Sequence, residues 1–440
     1  MVFPLRISPF EQSLWVDDRP AYPWNIVVRL RFRGVADRRA FDAAWQKTID
    51  RHPMLRAKLV RRGWSWNWVP VEPPPVIQWN EHVFGQFPQL THLNLLERGP
   101  VDAWVATNGD ETEFLLHLHH ANVDGLGTVQ FLQDFLLLYA NELGGKSPLP
   151  ELAHKNLSRR HRYGLTFWKF LKQMRPLAIG ILGARDFVGR VPTTLTPYDP
   201  VDYQSPLPAN YPAILSQSFT KEESAAAKAA ANRDNATLND LLARDLFLAL
   251  GDWREARGIT ADDAWLRMMV PMNLRTAHER DVPAANIMST VFLDRQRPDL
   301  ANPVSLLESI KEQMGLIKRN GLALIWVIAL GLIDYIPGQM ERSARRQGPV
   351  ATTILTNLLR IFDKVDLPTD DGRLLTGNLR LDQFELFAPL RPWTCATFAA
   401  MHYAEQLQLC LQYDPRVLGS DEAEELLQRF MTRVRQSAGV

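Results

Sequence analysis

Cysteine is nearly absent: the 440-residue chain has two, Cys395 and Cys410. Two cannot build a disulfide framework, and a reducing cytoplasmic setting is the expectation that follows. Excess charge of either sign is missing as well, with 50 Lys and Arg against 49 Asp and Glu. A nucleic-acid partner usually requires a basic surplus, so none is expected. The opening MVFPLRISPFEQSLW lacks the basic, apolar, small-residue order of a secretion signal. Long apolar runs are lacking too. GLALIWVIALGLI (Gly321–Ile333) falls short of the roughly 20 residues that a membrane span needs, and reads as a buried helix. No HExxH, CxxC or GxSxG occurs, which leaves zinc-protease, zinc-ribbon and serine-hydrolase chemistry without support. LGGKSP (Leu143–Pro148) lacks the first glycine of a phosphate loop, and Pro148 blocks the helix such a loop must open.

What is present is a globular composition, 46% hydrophobic and 22% charged, long enough for two core-bearing lobes. NIVVRLRFRGV alternates as a strand; DRRAFDAAWQKTIDRHPML then places Phe41, Ala44, Trp45 and Ile49 at helical spacing. WSWNWVP puts Trp64, Trp66 and Trp68 on one strand face, a packing surface before a ligand platform. TEFLLHLHHA is a strand and GTVQFLQDFLLLYANEL an amphipathic helix. The proline-rich stretch 191–212 reads as a linker. Beyond it, two helices break near Asn235, alternating segments follow, and a last helix is capped by Ser420. Strands and helices alternate in both halves, so the class is α/β (α+β), with lobes at 1–190 and 213–440.

Three histidines crowd into HLHHANVDGLG (His117–Gly127). Adjacent His119 and His120 on a strand face opposite sides and cannot share an ion, so no metal is expected. His120 shares a face with Leu116 and Leu118, where partial desolvation keeps an imidazole neutral and able to take a proton. Asp124 sits where the chain turns and can fix local geometry. Gly125 and Gly127 allow bending and close approach of a ligand. The helix start beyond offers N–H groups to developing negative charge. A nucleophile can be deprotonated here and an oxyanion held.

HHANVDG resembles the HHxxxDG motif of the CoA-dependent acyltransferase superfamily, which includes nonribosomal-peptide condensation domains, wax ester synthases, alcohol acetyltransferases and chloramphenicol acetyltransferase. SPFEQSLW, RHPMLRA (Arg51–Ala57), TLNDLLARDLFLAL (Thr237–Leu250), VPMNLR (Val270–Arg275) and ILTNLLRI (Ile354–Ile361) are similar to further segments, in the expected order. The DFGWG motif of the plant BAHD branch is missing, and Leu359 replaces the glycine of an S-N-x-G strand. The resemblance implies two chloramphenicol-acetyltransferase-like lobes forming a V, with an active-site tunnel between them. It implies a stand-alone acyltransferase in which His120 is the general base and Asp124 belongs to the same catalytic motif. His119, Gly125 and Arg275 support the site, Arg275 by pairing with Asp124. Asn273, Thr356 and Asn357 contact substrate, and Asn286 stands where related branches often carry an Asn.

No bound cofactor is implied. The co-substrate is acyl-CoA or a phosphopantetheinyl acyl carrier protein, and the acceptor a small alcohol or amine. The expected protein is a cytoplasmic monomer; Phe167–Arg190 reads either as a segment that lies on a membrane or covers an acyl channel, or as a helical pair packed on the lobe. Apolar segments at 167–182 and 321–333 favour lipid-like substrates. Two basic clusters, Arg159-Arg160-Arg162 and Arg342-Arg345-Arg346, read as solvated faces before docking sites for CoA phosphates or an acidic carrier. The alternatives are a non-catalytic acyl-thioester binder and an amide-forming condensation enzyme.

Overall fold

The computed structural model describes residues 2–161, 187–198 and 201–440. The chain begins with β1 (Leu5–Arg6), α1 (Pro9–Asp17), β2 (Asn25–Arg33), α2 (Arg38–Arg51), β3 (Ala57–Arg62) and β4 (Ser65–Pro70). Then come β5 (Ile77–Trp79), β6 (Val101–Asn108), β7 (Glu111–His119) and α3 (Gly125–Glu142). The second half contributes β8 (Ala213–Ser218), α4 (Lys221–Arg233), α5 (Leu238–Glu255), β9 (Leu266–Asn273) and β10 (Met288–Arg295). It continues through α6 (Pro303–Asn320), α7 (Ala323–Asp334), α8 (Gln339–Ala344), β11 (Thr353–Arg360), β12 (Thr369–Asp370) and β13 (Arg373–Thr376). Last are β14 (Leu379–Phe387), β15 (Ala396–Tyr403), β16 (Gln406–Tyr413) and α9 (Ser420–Ala438).

These elements form a two-lobed mixed α/β fold. One lobe holds a seven-stranded sheet, β12-β13-β14-β2-β7-β6-β5; the other a six-stranded sheet, β10-β9-β11-β15-β16-β8. A small sheet, β1-β4-β3, lies beside them. The alternation in NIVVRLRFR pairs β2 with β7, opposing Asn25 to His119 and Ile26 to Leu118. The inner stripe of α2, Phe41, Ala44, Trp45 and Ile49, is fully buried, each large side chain stabilising by about 1.5–3 kcal/mol. Phe41 meets Phe114, Phe135 and Tyr139 edge-on, locking α2 and α3 to one sheet face. That anchorage holds the β7–α3 turn in place.

Several expectations are corrected. The lobes do not divide at one chain position, because β12 to β14 join the first sheet although they lie within 213–440. Hydrogen-bonding edges, not sequence order, decide sheet membership. Within 191–212, Leu195 and Tyr211 are buried and Tyr198 hydrogen-bonds Tyr22, so that stretch packs against the lobes. Trp64 leaves the strand face: it sits in the turn between β3 and β4 with 98% of its surface exposed. Trp66 instead packs edge-on to Trp15, and Trp68 is buried and donates to Glu11. Gly419, not Ser420, is the N-cap of α9. Arg160 faces no solvent; it is buried in an ion pair with Glu11. Arg162 and most of Phe167–Arg190 lie outside the described residues.

Candidate active site

His120 follows the last residue of β7, where its backbone N–H donates to the Trp24 carbonyl at 2.7 Å. From the other half of the chain, the Asn286 side-chain amide donates to the His120 carbonyl, also at 2.7 Å. The residue is thus clamped from both sides, with the Trp24 ring edge-on at 5.9 Å. Its ring stays partly exposed, and of the two nitrogens Nδ1 is buried without a partner of hydrogen-bond geometry. Burial pushes the His120 pKa below the ordinary imidazole value, opposed by backbone carbonyls of His120 and Val123 and by the Asp124 carboxylate. An imidazole so placed is neutral at pH 7.

Asp124 caps α3. One oxygen, Oδ1, accepts from the Gly127 N–H at 2.7 Å, and the other accepts from Arg275 at 2.8 Å and from the Ile287 N–H at 2.7 Å. Both carboxylate oxygens are occupied within the protein, so neither is free to face a substrate. Arg275 also donates to the Ala285 carbonyl at 2.9 Å. The Gly127 N–H is taken by the cap and is closed to an oxyanion.

Neither Gly125 nor Gly127 adopts positive φ; both serve close packing. A Cβ on Gly127 would stand 2.8 Å from the Ala285 carbonyl oxygen, and one on Gly125 would meet Leu358 Cδ2 at 2.6 Å. The space beside Gly125, expected to allow close approach of a ligand, is filled by Leu358. That contact brings the end of β11 against the start of α3. Thr356 and Asn357, on the same strand, are partly exposed and pair in register with Ala399 and Ala400. The strand becomes irregular between Asn357 and Arg360, where the glycine of the S-N-x-G pattern is missing. Asn273 is exposed and caps the turn by accepting from the Arg275 N–H at 3.0 Å.

His119 turns the other way. Its Nδ1 accepts from the Ala121 N–H at 3.1 Å, and its Nε2 lies 3.2 Å from Asp18. Asp18 also contacts His92 and accepts from the Trp24 N–H at 2.8 Å. Burial alone would raise the Asp18 pKa, but facing His119 and His92 hold it below the usual carboxylate range. Sequence reasoning missed Asp18, Trp24 and His92. Each lies far along the chain from His119, and no local pattern marks them. Next to this group, His117 and Asn25 are fully buried with no hydrogen-bond partner on either polar atom. Among the described residues, no group of three or more His, Cys, Asp or Glu is arranged to hold a metal ion.

No protein-family profile matches the chain. An uncharacterised protein of Mycobacterium tuberculosis, found in two strains, is 26% identical over 401 residues, covering 84% of this chain and 85% of its own. Among solved structures, the first condensation domain of the CDA synthetase superposes with a TM-score of 0.73 at 14% identity, covering 99% of this chain and 96% of that one. Polyketide synthase associated protein 5 from Mycobacterium tuberculosis gives 0.64 at 14% identity, covering 99% of each chain. The starter condensation domain of rhizomide synthetase RzmA, a mutant in complex with C8-CoA and Leu-SNAC, gives 0.68 at 14% identity over 99% of this chain and 95% of that one. The fold is therefore that of condensation domains.

Proposed function

We propose that this chain is an acyltransferase that moves an acyl group from a CoA or carrier-protein thioester to an alcohol or amine, with His120 as general base. The observation that carries this reading is the state of His120. Its backbone is held from both halves of the chain, its imidazole is kept neutral by burial, and the residue is partly open to solvent. The acceptor O–H or N–H gives its proton to His120 Nε2 as the oxygen or nitrogen bonds to the thioester carbonyl carbon. Collapse of the tetrahedral adduct breaks the C–S bond, and the imidazolium returns the proton to the leaving thiolate. An ester or amide and a free thiol result, with no acyl-enzyme. Asp124 and Arg275 act as positioning residues that fix the turn after His120.

The fold shared with a condensation domain in complex with C8-CoA supports an acyl-CoA or carrier-borne donor, and an amide product beside an ester. The partly exposed Thr356 and Asn357 are proposed to contact substrate from β11. The test is a thiol-release screen of graded acyl-CoA donors against pooled alcohols and amines, with products read by mass spectrometry. His120→Ala is expected to slow transfer by roughly 10²–10⁴-fold while the protein stays folded. Near-normal transfer by that variant would refute the assignment, and free acid as the sole product would make water the acceptor.

A further inference from the structure

The segment GLALIWVIALGLI forms α7, but only one stripe of it is covered. Ala323, Val327 and Leu330 are buried, and a Cβ on Gly331 would lie 4.0 Å from Pro9 of α1. Trp326 packs edge-on against Phe187 and Phe292. Leu324 and Ile333 also pack in part against the core, and the exposed apolar surface gathers toward the end of the helix. Beyond its middle, Leu332 is 65% exposed, Tyr335 86% and Ile336 56%. A soluble helix normally presents polar residues on its outer face; here the sequence supplies none between Leu322 and Ile333.

Cations flank this apolar surface at both ends. Lys318 and Arg319 close α6 just before it, and Arg342, Arg345 and Arg346 follow on and after α8. All five are exposed, and none forms an ion pair among the described residues. Against them stand only Asp334 and Glu341, so residues 318–346 carry a net charge of +3 (five cations less two acids) where the whole chain carries +1. Apolar surface with cations at both ends matches the two layers of an anionic bilayer surface, acyl chains below and phosphates above. No single helix among the described residues is long and apolar enough to span a membrane. At 12 residues, α7 reaches about 18 Å against a hydrocarbon core of about 30 Å. Its only apolar continuation, α6, is bent from it by 63°.

From this combination we infer that α7 and α8 form a docking surface for anionic lipid bilayers, with α7 lying in the interface plane. Binding is independent of the acyl-transfer chemistry and is read without it. The purified full chain is incubated with vesicles of phosphatidylcholine alone, or of phosphatidylcholine mixed with phosphatidylglycerol, at low and high salt, and the bound fraction is measured by flotation. Binding to the mixed vesicles only, weakened by salt, is the expected result. The triple variant Arg342→Gln, Arg345→Gln, Arg346→Gln should lose about fivefold per cation, on the order of a hundredfold together. Leu332→Ser with Ile336→Ser should lose at least tenfold with all cations intact. These residues lie on the surface, so thermal melting and thiol release from a soluble acyl-CoA should stay unchanged in both variants. Equal binding to both vesicle types, or undiminished binding by the triple variant, overturns the inference. So does a triple variant that floats normally but reacts more slowly only with a carrier-protein donor, which makes the patch a protein-docking site.

Discussion

Replacing Asp124 by alanine removes three contacts at once, and the structure allows each to be weighed. The cap on the Gly127 N–H contributes about 1 kcal/mol. The Ile287 N–H, buried and left without an acceptor, costs about 1–3 kcal/mol. Arg275 loses its carboxylate, but it keeps the Ala285 carbonyl and 17% side-chain exposure, so its share is at most about 1 kcal/mol. The expected destabilisation is about 4 kcal/mol, a large part of a typical 5–15 kcal/mol, read by urea unfolding. Asp124→Asn keeps the cap through its single amide oxygen and removes the charge, but turns its NH2 donor toward Arg275 and the Ile287 N–H. The Asp124 charge raises the basicity of His120. Removing it drops the His120 pKa further, so the neutral base persists to lower pH and the acid limb of kcat/KM moves down. A purely structural Asp124 would leave that limb in place. A loss below about 1 kcal/mol for the alanine variant, together with an unmoved acid limb for the asparagine variant, refutes the positioning role.

Because burial lowers the His120 pKa, kcat/KM of the unmodified protein should be flat at neutral pH and fall only below the ordinary imidazole range; a midpoint above 6.5 contradicts the reading. His117 is pushed down to about 3 by burial, followed by the nearby His119 and Arg98. Between 6.5 and 3 the unfolded chain binds a proton that the folded one refuses, so this histidine costs about 1.4 kcal/mol of stability per pH unit as pH falls. His117→Leu should flatten the acid slope by that amount, and an unchanged slope sinks the assignment. Gly127→Ala meets the Ala285 backbone and should cost about 2 kcal/mol, more than Gly125→Ala, which meets only the end of the Leu358 side chain. The reverse order in thermal melting would show that the packing is misread.

Much of the local architecture was legible in the residues. The period in DRRAFDAAWQKTIDR marks α2, and the break near Asn235 separates α4 from α5. His120 stood out because a histidine, an aspartate and two glycines gather at the end of one strand. These signals depend on neighbours two to four positions apart, and a linear string records such neighbours faithfully. The reach of Asp124 to Arg275, 151 positions away, was written only as a consequence of family likeness. The contact of His119 with Asp18 had no trace at all.

Sequence by itself therefore determined many of the elements and the gathering of histidine, aspartate and glycine at the end of one strand. Tertiary structure decided that β12 to β14 cross to the first sheet, that Leu358 fills the space beside Gly125, and that α7 keeps an apolar face uncovered. The physical reason is that burial and strand pairing depend on what the rest of the chain brings alongside. Periodicity states which face of a segment is apolar, not whether another part of the molecule arrives to cover it.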